Sequence, residues 1–153
     1  MPDAILVLNA GSSSTKLSLF LEQAGELVLD LRGKLEGREG EGAPHLVVRR
    51  PDGAVVAERH WPENAYLGHA AALTHLLPVV RGALGDDVLA GVAHRVVHGG
   101  ASFETPVLVD DAVLARLQTF VPLAPLHQPH NLIPIRALRE LDPVPGQARR
   151  RFA

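Results

Sequence analysis

Asn9-Ala10-Gly11-Ser12-Ser13-Ser14-Thr15-Lys16 lies between two apolar runs and gathers small residues, consecutive serine hydroxyls and one ammonium. A loop of such residues can aim backbone N–H groups, hydroxyls and a cation at a single anionic group, which is phosphate chemistry. The pattern is not that of a P-loop, which needs a glycine before its lysine and a helix after it. Here Thr15 precedes Lys16, and Leu17, Leu19 and Leu21 alternate with Ser18 and Glu22 at strand spacing. Ala4 to Leu8 reads as a buried apolar strand, so the loop is the tip of a β-hairpin. Taken alone, it also reads as an ordinary Gly/Ser turn with Lys16 solvated at a strand edge.

A second constellation, His94-Arg95-Val96-Val97-His98-Gly99-Gly100, ends an apolar run with two imidazoles, a guanidinium and paired glycines. Arginine meets a carboxylate or phosphoryl group through two parallel hydrogen bonds, and glycines let a backbone approach closely. The competing reading is a strand end with an exposed basic pair and a tight turn. The third is Leu123-Ala124-Pro125-Leu126-His127-Gln128-Pro129-His130-Asn131, which Pro122, Pro125 and Pro129 stiffen. A stiff loop can aim His127 at a substrate with little ordering cost. His127 and His130 stand three apart, but no third ligand at a familiar spacing accompanies them, which argues against a transition-metal site. His45, His60, His69 and His75 read as surface or helix residues rather than ligands.

Composition narrows the functions open to these groups. A chain of 153 residues, 46% hydrophobic and 21% charged, fits one folded domain. Its net charge of −2 offers no basic field to nucleic acid. The lack of cysteine removes thiolate catalysis, disulfides and cysteine-based zinc sites. No apolar run approaches the ~20 residues of a membrane span, and Met1-Pro2-Asp3 lacks the basic-then-apolar layout of a signal peptide. A cytoplasmic protein without nucleic-acid or membrane partners is the expectation.

The chemistry-bearing groups need elements to hold them. Leu27 to Leu35 patterns as a third strand, and Glu36 to Gly42 as a mobile Gly/Glu-rich connection. Leu46 to Arg49 and Ala54 to Glu58 flank Pro51-Asp52-Gly53 and form a hairpin. Asn64 is the expected N-cap of a helix carrying Leu67, Ala71, Leu73, Leu76 and Leu77, which Pro78 should end or kink. Val88 to Val97 gives another strand. Asp110 or Asp111 caps a helix with Val113, Leu114, Leu117 and Phe120 on one face, closed by Pro122, and a last helix begins near Pro129 or Asn131 and runs to about Leu141. This order predicts an α/β domain with a mixed sheet, its early strands antiparallel and a later one brought in through a helical crossover.

In the same order and at similar separations, Asn9 to Lys16, His94 to Gly100 and Ala124 to Asn131 resemble the signatures of the acetate kinases, in the acetokinase family of acetate and propionate kinases. The resemblance runs from Ala4 to about Pro145. It implies the ribonuclease-H-like fold shared by acetate and sugar kinases, actin and heat-shock chaperone ATPases. It implies reversible transfer of the ATP γ-phosphoryl group to acetate, giving ADP and acetyl phosphate, with Mg2+ or Mn2+ present and a homodimer as the family's assembly. By the same resemblance, Asn9 would help hold the metal and phosphate end of the site, with Ser12 and Ser14 as hydroxyl partners and Lys16 as the loop lysine associated with ATP. Arg95 would contact the carboxylate or phosphoryl group of the small substrate. Val97 and Leu126 would line the pocket for the acetyl methyl group, and His127 would donate to the phosphoryl group in flight. In-line phosphoryl transfer asks for such positioning and positive charge more than for a covalent nucleophile.

Departures from the family pattern are of two kinds. Gln128 stands where the family usually has asparagine, and Thr15 where it often has an aliphatic residue. After a segment like Leu141-Asp142-Pro143-Val144-Pro145, family members enter a strand and a Phe-Asp-Thr-Ala-Phe-His motif that supplies a catalytic aspartate and histidine. Here Gly146-Gln147-Ala148-Arg149-Arg150-Arg151-Phe152-Ala153 follows instead. The expectation is an incomplete N-terminal acetate-kinase-like domain, 1–145, and a divergent tail, 146–153, out of frame or disordered, with weak or absent turnover alone. A catalytically dead phosphate- or nucleotide-binding module and one half of a split kinase are the alternative readings.

Overall fold

Leucines at alternate positions decide how the sheet faces its core. Leu6, Leu8, Leu17, Leu19, Leu31 and Leu35 are each no more than 3% exposed. They lie on three neighbouring strands, β1 (Asp3–Ala10), β2 (Thr15–Gln23) and β3 (Glu26–Glu36). Alternate side chains of a pleated strand share a face, so these residues form one apolar layer. Gly33 is the gap in that layer: a Cβ there would sit 3.0 Å from Leu17 Cγ and 3.2 Å from Val48 Cγ2. The computed structural model describes residues 3–37, 42–141 and 150–152, the last three and 140–141 by backbone alone.

Two more antiparallel strands, β4 (His45–Arg49) and β5 (Val55–His60), extend the sheet beyond β3. On the far side, β6 (Val88–His94) pairs in parallel with β1, and β7 (Arg150–Phe152) in parallel with β6. The order across the 7-stranded sheet is β5-β4-β3-β2-β1-β6-β7. A parallel pair needs a crossover, and helix α1 (His69–Leu84) supplies it, laying Ala72, Leu73, Leu76, Leu77, Val80 and Leu84 on the leucine layer. Helices α2 (Asp111–Gln118) and α3 (Gln128–Leu141) join through a second cluster of Val109, Leu117, Phe120, Leu132 and Ile135.

The mixed α/β architecture is the one the sequence predicts, and several local expectations are corrected. Asn64 does not cap α1: it lies in a turn closed by Ala65 N donating to Pro62 O at 2.9 Å, and α1 starts after Gly68 without a side-chain cap. Asparagine serves turns as well as caps, and the preceding proline selects the turn. Pro78 does not end α1, which runs on to Leu84. The proline sits on the exposed side of the helix, where water can take the carbonyl it leaves unbonded, and burial of Leu76, Leu77, Val80 and Leu84 outweighs a helix-interior cost of about 3 kcal/mol. Strand β6 stops at His94, so Arg95 to Val97 lie beyond it. Asp110 does cap α2, accepting from Val113 N at 2.8 Å. Of the connection expected at Glu36 to Gly42, residues 38–41 lie outside the described residues. So do 142–149 and 153, which include most of the expected tail; Arg150–Phe152 form a short strand on the edge of β6.

Strand β5 meets α1 through a small polar cluster. Arg59 Nη1 donates to His75 Nδ1 at 3.3 Å, its guanidinium lies 4.9 Å over the Trp61 ring, and His75 meets Trp61 edge-on at 5.0 Å. Burial, helped by the Arg59 charge, holds the His75 pKa below the ordinary histidine value. The unfolded chain therefore binds this proton more readily, and the stability contributed by neutral His75 is lost as pH falls below the ordinary value of 6.5. We expect His75→Gln, which keeps an acceptor for Arg59, to flatten the loss of stability between about pH 7.5 and 5.5. Urea unfolding at both pH values checks this; parallel pH slopes in the two proteins would refute it.

Candidate active site

The hairpin loop is shaped by its own backbone. Gly11 N donates to Ser14 O at 2.8 Å, and the strands close on the pairs Ala10 with Thr15 and Asn9 with Lys16. Residues opposite one another share a face, so Asn9 and Lys16 lie on the side of the sheet away from the leucine layer, while Thr15 points inward and is fully buried. On the outer side, Ser13, Ser14, Lys16, Lys34, Glu36 and His45 line an open cavity of about 520 Å³, within which Lys34 and Glu36 form an ion pair. That pair, led by the Lys34 hydrogen bond, holds the Glu36 carboxyl below its usual pKa. A neighbouring cavity of about 710 Å³ adds Ser18, Arg32, Arg49 and Arg50, with Arg50 bonded to Asp30 at 2.7 Å. The loop therefore opens onto a cationic face.

Two amide side chains one helical turn apart on α3 bring the three sequence constellations together. Asn131 donates from Nδ2 to Ala10 O and accepts at Oδ1 from Val97 N, both at 2.9 Å. Gln128 accepts from His98 N at 3.3 Å and donates to His98 O at 3.0 Å and Leu117 O at 3.2 Å. Arg95 N donates to Leu8 O at 3.0 Å, so the segment after β6 runs directly beside the end of β1. His98 Nδ1 in turn accepts from Gly100 N at 2.8 Å. Gly99 cannot carry a side chain here, because a Cβ would overlap Phe103 O; Gly100 has φ +58° and faces the Phe120 ring. The motif readings had given Gln128 and Asn131 no role. Their i, i+3 spacing, which places two amides on one helix face, is the signal that could have supplied it.

A second buried link was also missed. His69, expected to be a surface or helix residue, opens α1 and is 2% exposed. Its Nδ1 lies 2.9 Å from Thr15 Oγ1 and its Nε2 3.1 Å from His130 Nδ1. Either tautomer of His69 gives one donor and one acceptor, so the chain from loop to α1 to α3 is satisfied in both directions. A hydroxyl at an inward-facing strand position needs such a partner, and Thr15 in place of an aliphatic residue is where the sequence signals it.

The remaining candidates are placed as follows. Asn9, Ser14 and Lys16 flank the loop, Ser12 is exposed at its tip, and Arg95 is exposed just past β6. His127 is exposed immediately before α3, its N–H donating to Ala124 O at 3.1 Å. Val97 and Leu126 are 47% and 74% exposed, at an open surface and not in a closed pocket. The structure thus joins the backbones of all three motifs and leaves Ser12, Lys16, Arg95 and His127 facing solvent, with Asn9 and Ser14 half-buried.

Residues 4–147 match the sequence profile described as the Acetokinase family. The chain belongs to that family. It is 43% identical over 140 residues to an acetate kinase of Nitrobacter hamburgensis, covering 89% of this chain and 33% of the relative. An acetate kinase of Rhizobium meliloti is 40% identical over 141 residues, covering 92% of this chain and 35% of the relative. This acetokinase-family chain therefore spans about a third of the length of the relatives it matches. Among solved structures, an acetate kinase of Porphyromonas gingivalis superposes with a TM-score of 0.77 at 30% identity, over 98% of this chain and 36% of that one. A propionate kinase of Francisella tularensis gives 0.76 at 25% identity, over 99% and 36%.

Asn131 carries the prediction that belongs to this geometry. In Asn131→Ala, Ala10 O loses its partner in a buried place, at about 1–3 kcal/mol, and the part-buried Val97 N loses its partner as well. The urea midpoint should fall accordingly, with Gln23→Ala on the exposed strand end as the unaffected control. An unchanged midpoint for Asn131→Ala would show that the clamp does not hold the motifs.

Proposed function

We propose that this chain forms the small-substrate and phosphate-binding part of an acetate kinase, at which the γ-phosphoryl group of ATP passes reversibly to acetate. The observation that carries this reading is the meeting of the loop, the segment after β6 and the start of α3 on the Asn131 and Gln128 amides. In the forward step a carboxylate oxygen of acetate attacks the γ-phosphorus, the bond to the β,γ-bridging oxygen breaks, and ADP leaves with that electron pair. Lys16 and the loop N–H groups hold phosphate oxygens, with Ser12 and Ser14 as hydroxyl partners. Arg95 orients the carboxylate of acetate, or the phosphoryl group of acetyl phosphate in reverse. His127 donates to the transferring group, where charge gathers on the equatorial oxygens.

The donors at the loop suit the divalent ion that such kinases employ. An amide oxygen and two hydroxyls, with no imidazole or thiolate among them, match hard, oxygen-preferring Mg2+ or Mn2+. Asn9 would hold the ion at the phosphate end, where it would offset phosphate charge. Val97 and Leu126 form one wall for the acetyl methyl group. One added methylene alters binding to an apolar wall by only ~1–3 kcal/mol, so propionate is the neighbouring substrate. A cytoplasmic homodimer belongs to the same reading.

The openness of Val97 and Leu126 favours a second reading, an anion-binding module without turnover, or one part of a kinase completed by another polypeptide surface. Calorimetry with acetyl phosphate and a hydroxamate assay for its formation separate the two. We expect saturable acetyl phosphate binding that Lys16→Ala and Arg95→Ala each weaken about tenfold or more, the size of a lost charge-assisted bond. Turnover should appear only when a polypeptide matching the remaining two thirds of a full-length relative is added. Binding indifferent to both substitutions would overturn the phosphate-site reading, and turnover by the chain alone would remove the second one.

A further inference from the structure

The β4–β5 hairpin carries a side-chain cluster that the phosphate-facing motifs do not use. His45 and His60 are directly opposite in the antiparallel register and so share a face, and Glu58, two residues before His60, joins them there. Glu58 Oε1 lies 2.9 Å from His45 Nε2 and 3.5 Å from His60 Nε2, and the two rings stack at 4.1 Å with 8° between their planes. One ligand atom from each residue can be chosen so that all lie within 4.8 Å of one another. Donors around a single tetrahedral ion at 2.0–2.2 Å stand about 3.3–3.6 Å apart; Glu58 stands near that spacing from both imidazoles, and turning the rings out of their stack would aim both nitrogens at one ion.

We propose that His45, Glu58 and His60 bind one divalent transition ion, zinc or a neighbour of similar softness, that cross-links the two outermost strands on this side of the sheet. Two imidazoles and a carboxylate are the donor set of zinc, nickel and copper sites, whereas Mg2+ and Ca2+ take oxygen alone. The site is chemically distinct from the ion expected at Asn9, although His45 also lines the cavity beside the loop, and it stands whether or not the kinase reading does. The hydrogen bond from His45 holds Glu58 below its usual pKa, with Arg49 and the His60 ring adding to it, so the carboxylate is available. The side chains of His45, Glu58 and His60 are 29%, 43% and 68% exposed, which leaves an open entry path and coordination positions for water. The consequence lies at the sheet edge. Strand β5 is outermost and carries Val55 and Val56 at 48% and 41% exposure, the kind of edge that invites pairing with other chains. An ion shared between opposite residues fixes its register on β4.

Titrating the full chain with zinc chloride in a non-chelating buffer, by calorimetry and by hydrogen exchange, tests this. We expect one zinc per chain with micromolar affinity, slower exchange across residues 45–60, and no such slowing with magnesium chloride. His60→Ala and Glu58→Gln, both at exposed positions and checked for an unchanged circular dichroism spectrum, should each weaken zinc binding at least tenfold. The double variant His127→Ala, His130→Ala should bind zinc as the parent does. No saturable binding below about 100 μM, binding that survives both His60→Ala and Glu58→Gln, or binding that disappears in the double variant would overturn the proposal.

Discussion

The side-chain amide of Asn131 reaches from the first turn of α3 to Ala10 O on one side and Val97 N on the other, in a place where the residue is 3% exposed. A primary amide suits this position because it carries a donor and an acceptor in one plane. One partner is the last residue of β1 and the other lies three residues past the end of β6, and the two strands are parallel neighbours that finish side by side. In open α/β sheets ligands gather beyond the carboxyl ends of parallel strands, and here the first turn of α3 is bonded to the chain at that end. Hydrocarbon at 131 would leave both backbone groups unbonded, and a carboxylate would place its charge against a carbonyl.

The second determinant is the face chosen by β2. Leu17 and Leu19 enter the core while Lys16 and Ser18 look the other way, so the chemistry of the loop and the packing of the sheet are written on alternate positions of one strand. A slip of one residue would bury the lysine and expose the leucines. The leucine layer, with Gly33 admitting Leu17, thus orients Lys16 as firmly as any contact to Lys16 itself.

Features governed by neighbours in sequence were legible from it: the strand alternation, the hairpin around Pro51 to Gly53, the Asp110 cap and the apolar face of α2 each follow from residues within one turn or one pleat. The three motifs were legible as constellations of residue types, and their meeting in space agrees with reading them together. What could not be read depended on distant partners. Pro78 survives in α1 because the sheet beneath rewards the helix; Asn64 yields to the turn that Pro62 opens, and the helix starts where Leu67 and His69 enter the core. His69 looked ordinary because its two partners lie on other elements, one of them in α3. The Asn131 clamp was hidden for the same reason, since an asparagine near a helix start also reads as a cap.

Ala10 and Asn131 are 121 positions apart along the chain. Closing so long a loop is entropically unfavourable until most of the intervening elements are in place, whereas the β1–β2 and β4–β5 hairpins need only local contacts. The folding order this imposes puts the site last. The converse holds in the native state: an excursion that lifts α3 away from the sheet dissolves the meeting of the three motifs while the five-stranded antiparallel side persists. Being folded and having the three motifs assembled are then separate equilibria, and a ligand that needs the assembled form would draw its observed affinity from both.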